Sequence, residues 1–180
     1  MKAMAFKRKS ATKVMSTNSE TGEETFCISL CGRTIWITAH FHQTFLIRLQ
    51  LSFSPLSTPC VHSPLRDKLL EILQGEKRSL HQNTYMLIGT PFQLRVWHET
   101  AQIPYGATVT YGELAKTLKC NSPRAVGQAL KKNPLPIIIP CHRVVGKKGN
   151  LTGFSCGLNL KRHLLEIEKS NSQKFDTNNK

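Results

Sequence analysis

The residues best suited to chemistry are Cys141, His142 and Arg143, which follow one another in the stretch Ile137-Ile138-Ile139-Pro140-Cys141-His142-Arg143-Val144-Val145. Three isoleucines in a row predict a buried strand. Pro140 ends it, because proline has no N–H to offer a ladder. Cys141 is thereby carried from a dry, rigid element to the edge of a polar turn. A thiol beside an imidazole and a guanidinium can be held as a thiolate, the form that attacks. Most buried cysteines are inert small hydrophobes. The His and Arg that follow at once set Cys141 apart from those.

The charge around this stretch suggests what the nucleophile meets. From Lys131 to Arg162 there are Lys131, Lys132, Arg143, Lys147, Lys148, Lys161 and Arg162, and no acid. Over all 180 residues, 25 Lys and Arg stand against 11 Asp and Glu, a net charge of +14. Such an excess points to a polyanionic partner, most simply nucleic acid. An anionic membrane surface is disfavoured, since no strongly amphipathic basic helix is visible. No apolar run is long enough to span a bilayer. The opening residues MKAMAFKRKSATKVMS lack the apolar core of a secretory signal. A cytoplasmic, reducing setting is therefore expected, with free thiols at Cys27, Cys31, Cys60, Cys120, Cys141 and Cys156.

Several elements must position the turn. Residues 1–21 are basic and aperiodic and are expected to be a flexible tail. Segments 26–30, 34–38 and 45–51 are rich in β-branched and aromatic residues and predict two or three antiparallel strands, with Gly32 near the first turn. Three prolines make 52–64 a loop, and 65–73 is a short amphipathic helix ending near Gly75. Thr90-Pro91 reads as a helix start. Thr110 and Ser122 are candidate N-caps of two further helices, beginning at Tyr111 and at Pro123. A last helix covers 158–169, and 170–180 is a polar tail. The expected class is α/β (α+β): a small antiparallel domain over 22–85, then a mainly helical domain over 86–169.

The two short helices around Asn121-Ser122-Pro123 read as a helix-turn-helix. The second opens with Arg124 and carries the small residues Ala125, Gly127 and Ala129, which suit close approach to a nucleic-acid groove.

In order along the chain stand Thr90-Pro91-Phe92-Gln93, Val96-Trp97, Ile103-Pro104-Tyr105-Gly106, Tyr111-Gly112-Glu113-Leu114-Ala115, Arg124-Ala125-Val126-Gly127, Asn133-Pro134 and Pro140-Cys141-His142-Arg143-Val144-Val145. On these motifs residues 86–169 resemble the O6-alkylguanine-DNA alkyltransferases, the methylated-DNA–protein-cysteine methyltransferases. The resemblance implies an RNase H-like first domain and a catalytic second one. It implies repair of O6-alkylguanine, and of O4-alkylthymine, in double-stranded DNA by one irreversible alkyl transfer to Cys141 after base flipping. It further implies that His142 and Glu168, with Glu166 as the neighbouring alternative, activate the thiol through a water, and that Asn133 braces the turn. Tyr111 crowds the target phosphate and supplies a proton, and Arg124 fills the gap left by the base. Arg143, Lys147, Phe154 and Ser155 complete the DNA- and substrate-binding set. A monomer without a cofactor is implied.

Two departures stand out: Phe154 where many members have tyrosine, and Cys156 after Ser155 in place of a small residue. Cys27-x3-Cys31, His40-x-His42 and Cys60-x-His62 are the candidate zinc ligands. Their spacing does not converge clearly on a tetrahedral site, and no metal is expected. A lesion-flagging protein of related fold would lack the cysteine. A transcriptional regulator would need a further DNA-binding module. A cysteine hydrolase would need acyl-transfer machinery that is not apparent.

Overall fold

The computed structural model describes residues 21–55, 61–77 and 79–177. The basic segment 1–20 and Cys60 lie outside the described residues. Three strands, β1 (Thr21–Leu30), β2 (Arg33–His42) and β3 (Phe45–Ser52), form an antiparallel sheet in chain order. Cys31 and Gly32 both take positive φ in the first turn. Tight hairpin turns need that backbone to match the strand twist. Phe26, Ile28, Ile35, Ile37 and Ala39 alternate inward. On β3 the buried residues are Leu46 and then Leu49 and Leu51, because a register shift leaves Ile47 as an extra residue.

Helix α1 (Pro64–Gln74) is capped by Ser63, whose hydroxyl accepts from the Leu65 N–H, and it stops at Gly75 with φ 84°. It presses Leu65, Leu69, Ile72 and Leu73 into the core. Helix α2 (Pro91–Ala101) begins with a capping box between Thr90 and Gln93, and α3 (Tyr111–Thr117) with one between Thr110 and Glu113. Helix α4 (Pro123–Lys131) is capped by Ser122. Trp97 of α2 is buried and donates its indole N–H to the Ala129 carbonyl of α4 at 3.0 Å, which fixes one helix on the other. Helix α5 (Leu158–Thr177) runs on beyond Lys169. It packs on α1 and on the Cys-His-Arg turn. The buried apolar residues form one continuous cluster from Phe26 in β1 to Leu164 in α5.

Three features differ from expectation. Helix α5 continues to Thr177, through residues expected to be a polar tail. Ile137, Ile138 and Ile139 are buried, each with 2% of its surface exposed, but they form a turn rather than a strand. An apolar run reports burial and not backbone shape, and here side-chain hydrogen bonds replace a ladder. A short parallel pair, β4 (Val109–Thr110) with β5 (Val144–Val145), was also not expected. Two-residue strands carry no period. This pair nevertheless ties the residues after Cys-His-Arg to the cap of α3, which brings Tyr111 alongside.

Candidate active site

Cys141 opens a single 3-10 turn, Cys141–Arg143. Pro140 has φ −79° and ψ 62°, and the Cys141 N–H donates to the Ile139 carbonyl at 2.7 Å, an inverse γ-turn. Asn133 holds the whole bend. Its Nδ2 donates to the Ile139 carbonyl at 2.9 Å and to the Cys141 Sγ at 3.0 Å, while its Oδ1 accepts from the Leu135 N–H at 3.0 Å. Within the bend Ile137 sits at φ 77°, which a β-branched residue rarely adopts. Such strain persists only where the surroundings over-determine it, and Asn133 supplies those ties. Burial pushes the Cys141 thiol up to about 11, against the opposing Asn133 hydrogen bond. The resting thiol is therefore protonated, and the thiolate expected from its two neighbours is not its ground state.

The two neighbours share one carboxylate. Glu168, from the inner face of α5, meets His142 Nε2 at 2.7 Å. It also accepts from Arg143 Nε and Nη2 at 2.9 to 3.1 Å and from the Gly106 N–H at 3.0 Å. All three side chains are buried, and Glu166 is exposed. The geometry therefore selects Glu168 over Glu166. Burial alone would raise the Glu168 carboxyl, but His142 and Arg143 outweigh it and hold it down to about 2. His142 is lowered, chiefly by burial, against the pull of Glu168. A neutral imidazole that gives its Nε2 proton to Glu168 leaves Nδ1 as an acceptor. Nδ1 is buried and has no hydrogen-bond partner within the protein.

Beside this group opens a cavity of about 680 Å³, walled by Tyr111, Arg124, Gly127, Lys131, Phe154 and Ser155 among others. The Tyr111 hydroxyl lies 3.0 Å from the carbonyls of Thr152 and of Gly153, to which it donates. Gly153 has φ 53°, and a Cβ there would stand 3.2 Å from that hydroxyl, so glycine fits the contact. Under the ring lies Lys161, with Nζ 5.7 Å from its centroid. Lys161 is wholly buried and donates to the Val144 carbonyl at 2.6 Å and the Thr152 carbonyl at 2.8 Å. Burial brings its ammonium down to about 8.

The structure thus brings Cys141, His142, Asn133 and Glu168 together in the interior, and Tyr111, Arg124, Phe154 and Ser155 around the cavity. Lys147 stands apart, exposed in the 3-10 turn Lys147–Gly149. Arg143 needs correction as a DNA contact: it is 5% exposed, and its guanidinium is spent on Glu168 and on the Ile103 carbonyl. In the sequence Lys161 reads only as one of the basic residues. The available signal was its position three before Leu164 and seven before Glu168, on the apolar face of α5. Among the described residues no three His, Cys, Asp or Glu side chains converge as a metal site, and Cys60 lies outside them.

Residues 91–170 match the family model described as the DNA-binding domain of 6-O-methylguanine DNA methyltransferase. The methylated-DNA–protein-cysteine methyltransferase of Methanosarcina acetivorans is 52% identical over 83 residues, covering 46% of this chain and 53% of its own. That of Mycobacterium bovis is 54% identical over 85 residues, covering 47% and 52%. The chain spans about half the length of these curated relatives. Among solved structures, Mycobacterium tuberculosis OGT in complex with DNA superposes with a TM-score of 0.64 at 39% identity, over 76% of this chain and 88% of that one. The O6-methylguanine-DNA methyltransferase of Pyrococcus kodakaraensis gives 0.68 at 30% identity, over 82% and 99%.

Proposed function

Because this chain belongs to the 6-O-methylguanine DNA methyltransferase family, we propose that it repairs DNA by moving the alkyl group of O6-alkylguanine onto Cys141, once per molecule. The observation that carries this reading is the buried Cys141 thiol, tied to Asn133 and followed by a His142–Glu168 pair with a free Nδ1, beside a cavity on a basic face. Cys141 Sγ attacks the alkyl carbon, an S–C bond forms, the C–O6 bond breaks, and its electron pair leaves with guanine. The thiol proton passes through a bridging water to His142 Nδ1, and Glu168 stabilises the resulting imidazolium. Tyr111 donates the proton that neutralises the departing base, and Lys161 beneath its ring lowers the cost of the phenolate formed. Arg143 is a positioning residue that holds Glu168 ionised. The product is a thioether, which is not a usable leaving group, so the reaction is stoichiometric.

An O6 substituent cannot be attacked inside the stack, so the base must be turned out. Helices α3 and α4 act as a helix-turn-helix whose second helix enters the minor groove, where Ala125 and Gly127 permit close approach. Arg124, exposed at the start of α4, fills the gap left by the base. Tyr111 crowds the phosphate, and Phe154 and Ser155 hold the base. The exposed Lys147 contacts the backbone. O4-alkylthymine is a second substrate. The protein works as a cytoplasmic monomer, with an RNase H-like first domain. The test is a titration of protein against duplex DNA carrying one O6-methylguanine. Repair that stops at one lesion per protein, and slows at sub-saturating protein in Arg124→Ala, is expected. Repeated turnover would reject the scheme.

A further inference from the structure

A second cleft, of about 340 Å³, lies between β3 and the end of α4. Lys131 and Ser155 line both spaces, so the two adjoin. The Leu49 N–H donates to the Pro134 carbonyl at 2.8 Å and holds the two walls together. One wall is Asn133, whose amide touches Cys141 Sγ. The cleft is also lined by Arg48 and Lys132, and by no acidic residue. Arg48, Lys131 and Lys132 are exposed, and none of their side chains takes part in an ion pair or hydrogen bond among the described residues. Three unpaired cations around one concavity describe an oxyanion site, since cations without partners gain most from an incoming negative charge.

We propose that this cleft is an oxyanion subsite that admits O6 substituents ending in a carboxylate, with Arg48 of the sheet supplying charge that the helical part alone lacks. The inference rests on the transfer reaction proposed above. The reacting carbon must lie against Cys141 Sγ, which the Asn133 amide touches, and Asn133 and Ser155 both line the cleft, so the cleft is the space that takes the far end of a longer substituent. The chemistry is the same displacement: Sγ bonds to the substituent's first carbon, the C–O6 bond breaks with its electron pair going to guanine, and an S-carboxyalkyl cysteine results. A DNA phosphate is the other source of such an oxyanion.

The experiment measures single-turnover transfer from duplexes carrying O6-methylguanine, O6-carboxymethylguanine or its neutral isostere O6-carbamoylmethylguanine, in the full chain and in Arg48→Gln and Lys132→Gln. Both substitutions are on the surface and leave the core intact. The expected result is a loss of about tenfold on the carboxymethyl substrate alone, the worth of one charged hydrogen bond. An equal loss on all three substrates, with a shallower salt dependence, assigns the same subsite to a DNA phosphate. Unchanged rates on all three overturn the subsite. Absence of methyl uptake by the unsubstituted chain overturns the transfer reading itself and shows before any variant is compared.

Discussion

Replacing Glu168 by glutamine keeps the shape of the side chain and removes its charge. The carboxylate it replaces accepts from His142, from two nitrogens of Arg143 and from the Gly106 N–H, all in the interior. The variant leaves a guanidinium with 5% of its surface exposed and no counter-charge. Breaking a buried pair from one side costs about 3–5 kcal/mol. Proton linkage gives a similar figure: a carboxyl held at about 2 instead of 4.5 contributes about 3 kcal/mol at neutral pH. In a protein of this size each kcal/mol moves the melting temperature by about 2–4 °C, so Glu168→Gln is expected to melt about 6–20 °C lower at pH 7. The pH dependence has a definite sign. The folded value lies below the unfolded one, so the stabilisation is complete above about 4.5 and is lost as pH falls through about 2. The melting curves of the two proteins should therefore converge on acidification. Calorimetry from pH 7 to pH 2.5 checks this, alongside methyl transfer at pH 7, which should slow strongly. A variant that melts within about 2 °C of the parent at pH 7 would show that Glu168 does not carry the buried charge network.

Further outcomes follow from the same geometry. Asn133→Ala strands the Leu135 N–H in the interior and leaves the Ile139 carbonyl with the Cys141 N–H as its donor, and should cost about 1–3 kcal/mol in urea unfolding while slowing transfer. Lys161→Met removes the donor to Val144 and Thr152, so the transfer rate should fall and Tyr111 should lose its fixed place, seen as a change in its fluorescence. With a thiol raised to about 11, alkylation of Cys141 by iodoacetamide in the free protein should be slow at pH 7 and keep rising to about pH 11, whereas a plateau near pH 8 would contradict the protonated resting state. Methylated protein should melt about 2–12 °C below the free form, because an added group overpacks a residue only 4% exposed, and equal melting points would refute this.

Much of this arrangement was legible in the residues. Cys141-His142 reads as a nucleophile with a base, and Thr90, Thr110 and Ser122 mark the helix starts because caps are local chemistry. What the sequence hid was set by partners far along the chain. Ile137–Ile139 reads as a strand from its apolar run, yet the bend is made by Asn133, a side chain substituting for a ladder. Arg143 reads as part of a basic surface, because a count of charges does not say which are paired inside. Its partner Glu168 is a helix away. Lys161 was obscured in the same way, as a basic residue whose two acceptors are backbone carbonyls. The place of Tyr111 depends on a two-residue parallel pairing that no periodicity reveals.

The central claim is that Cys141 is the acceptor. Its most direct test is the intact mass of the protein after incubation with duplex DNA carrying one O6-methylguanine, followed by peptide mapping. The account predicts a gain of a single methyl group, confined to Cys141, saturating at one equivalent and absent in Cys141→Ser. A methyl group found on another residue, or lesion-selective binding with no change in mass, would contradict it.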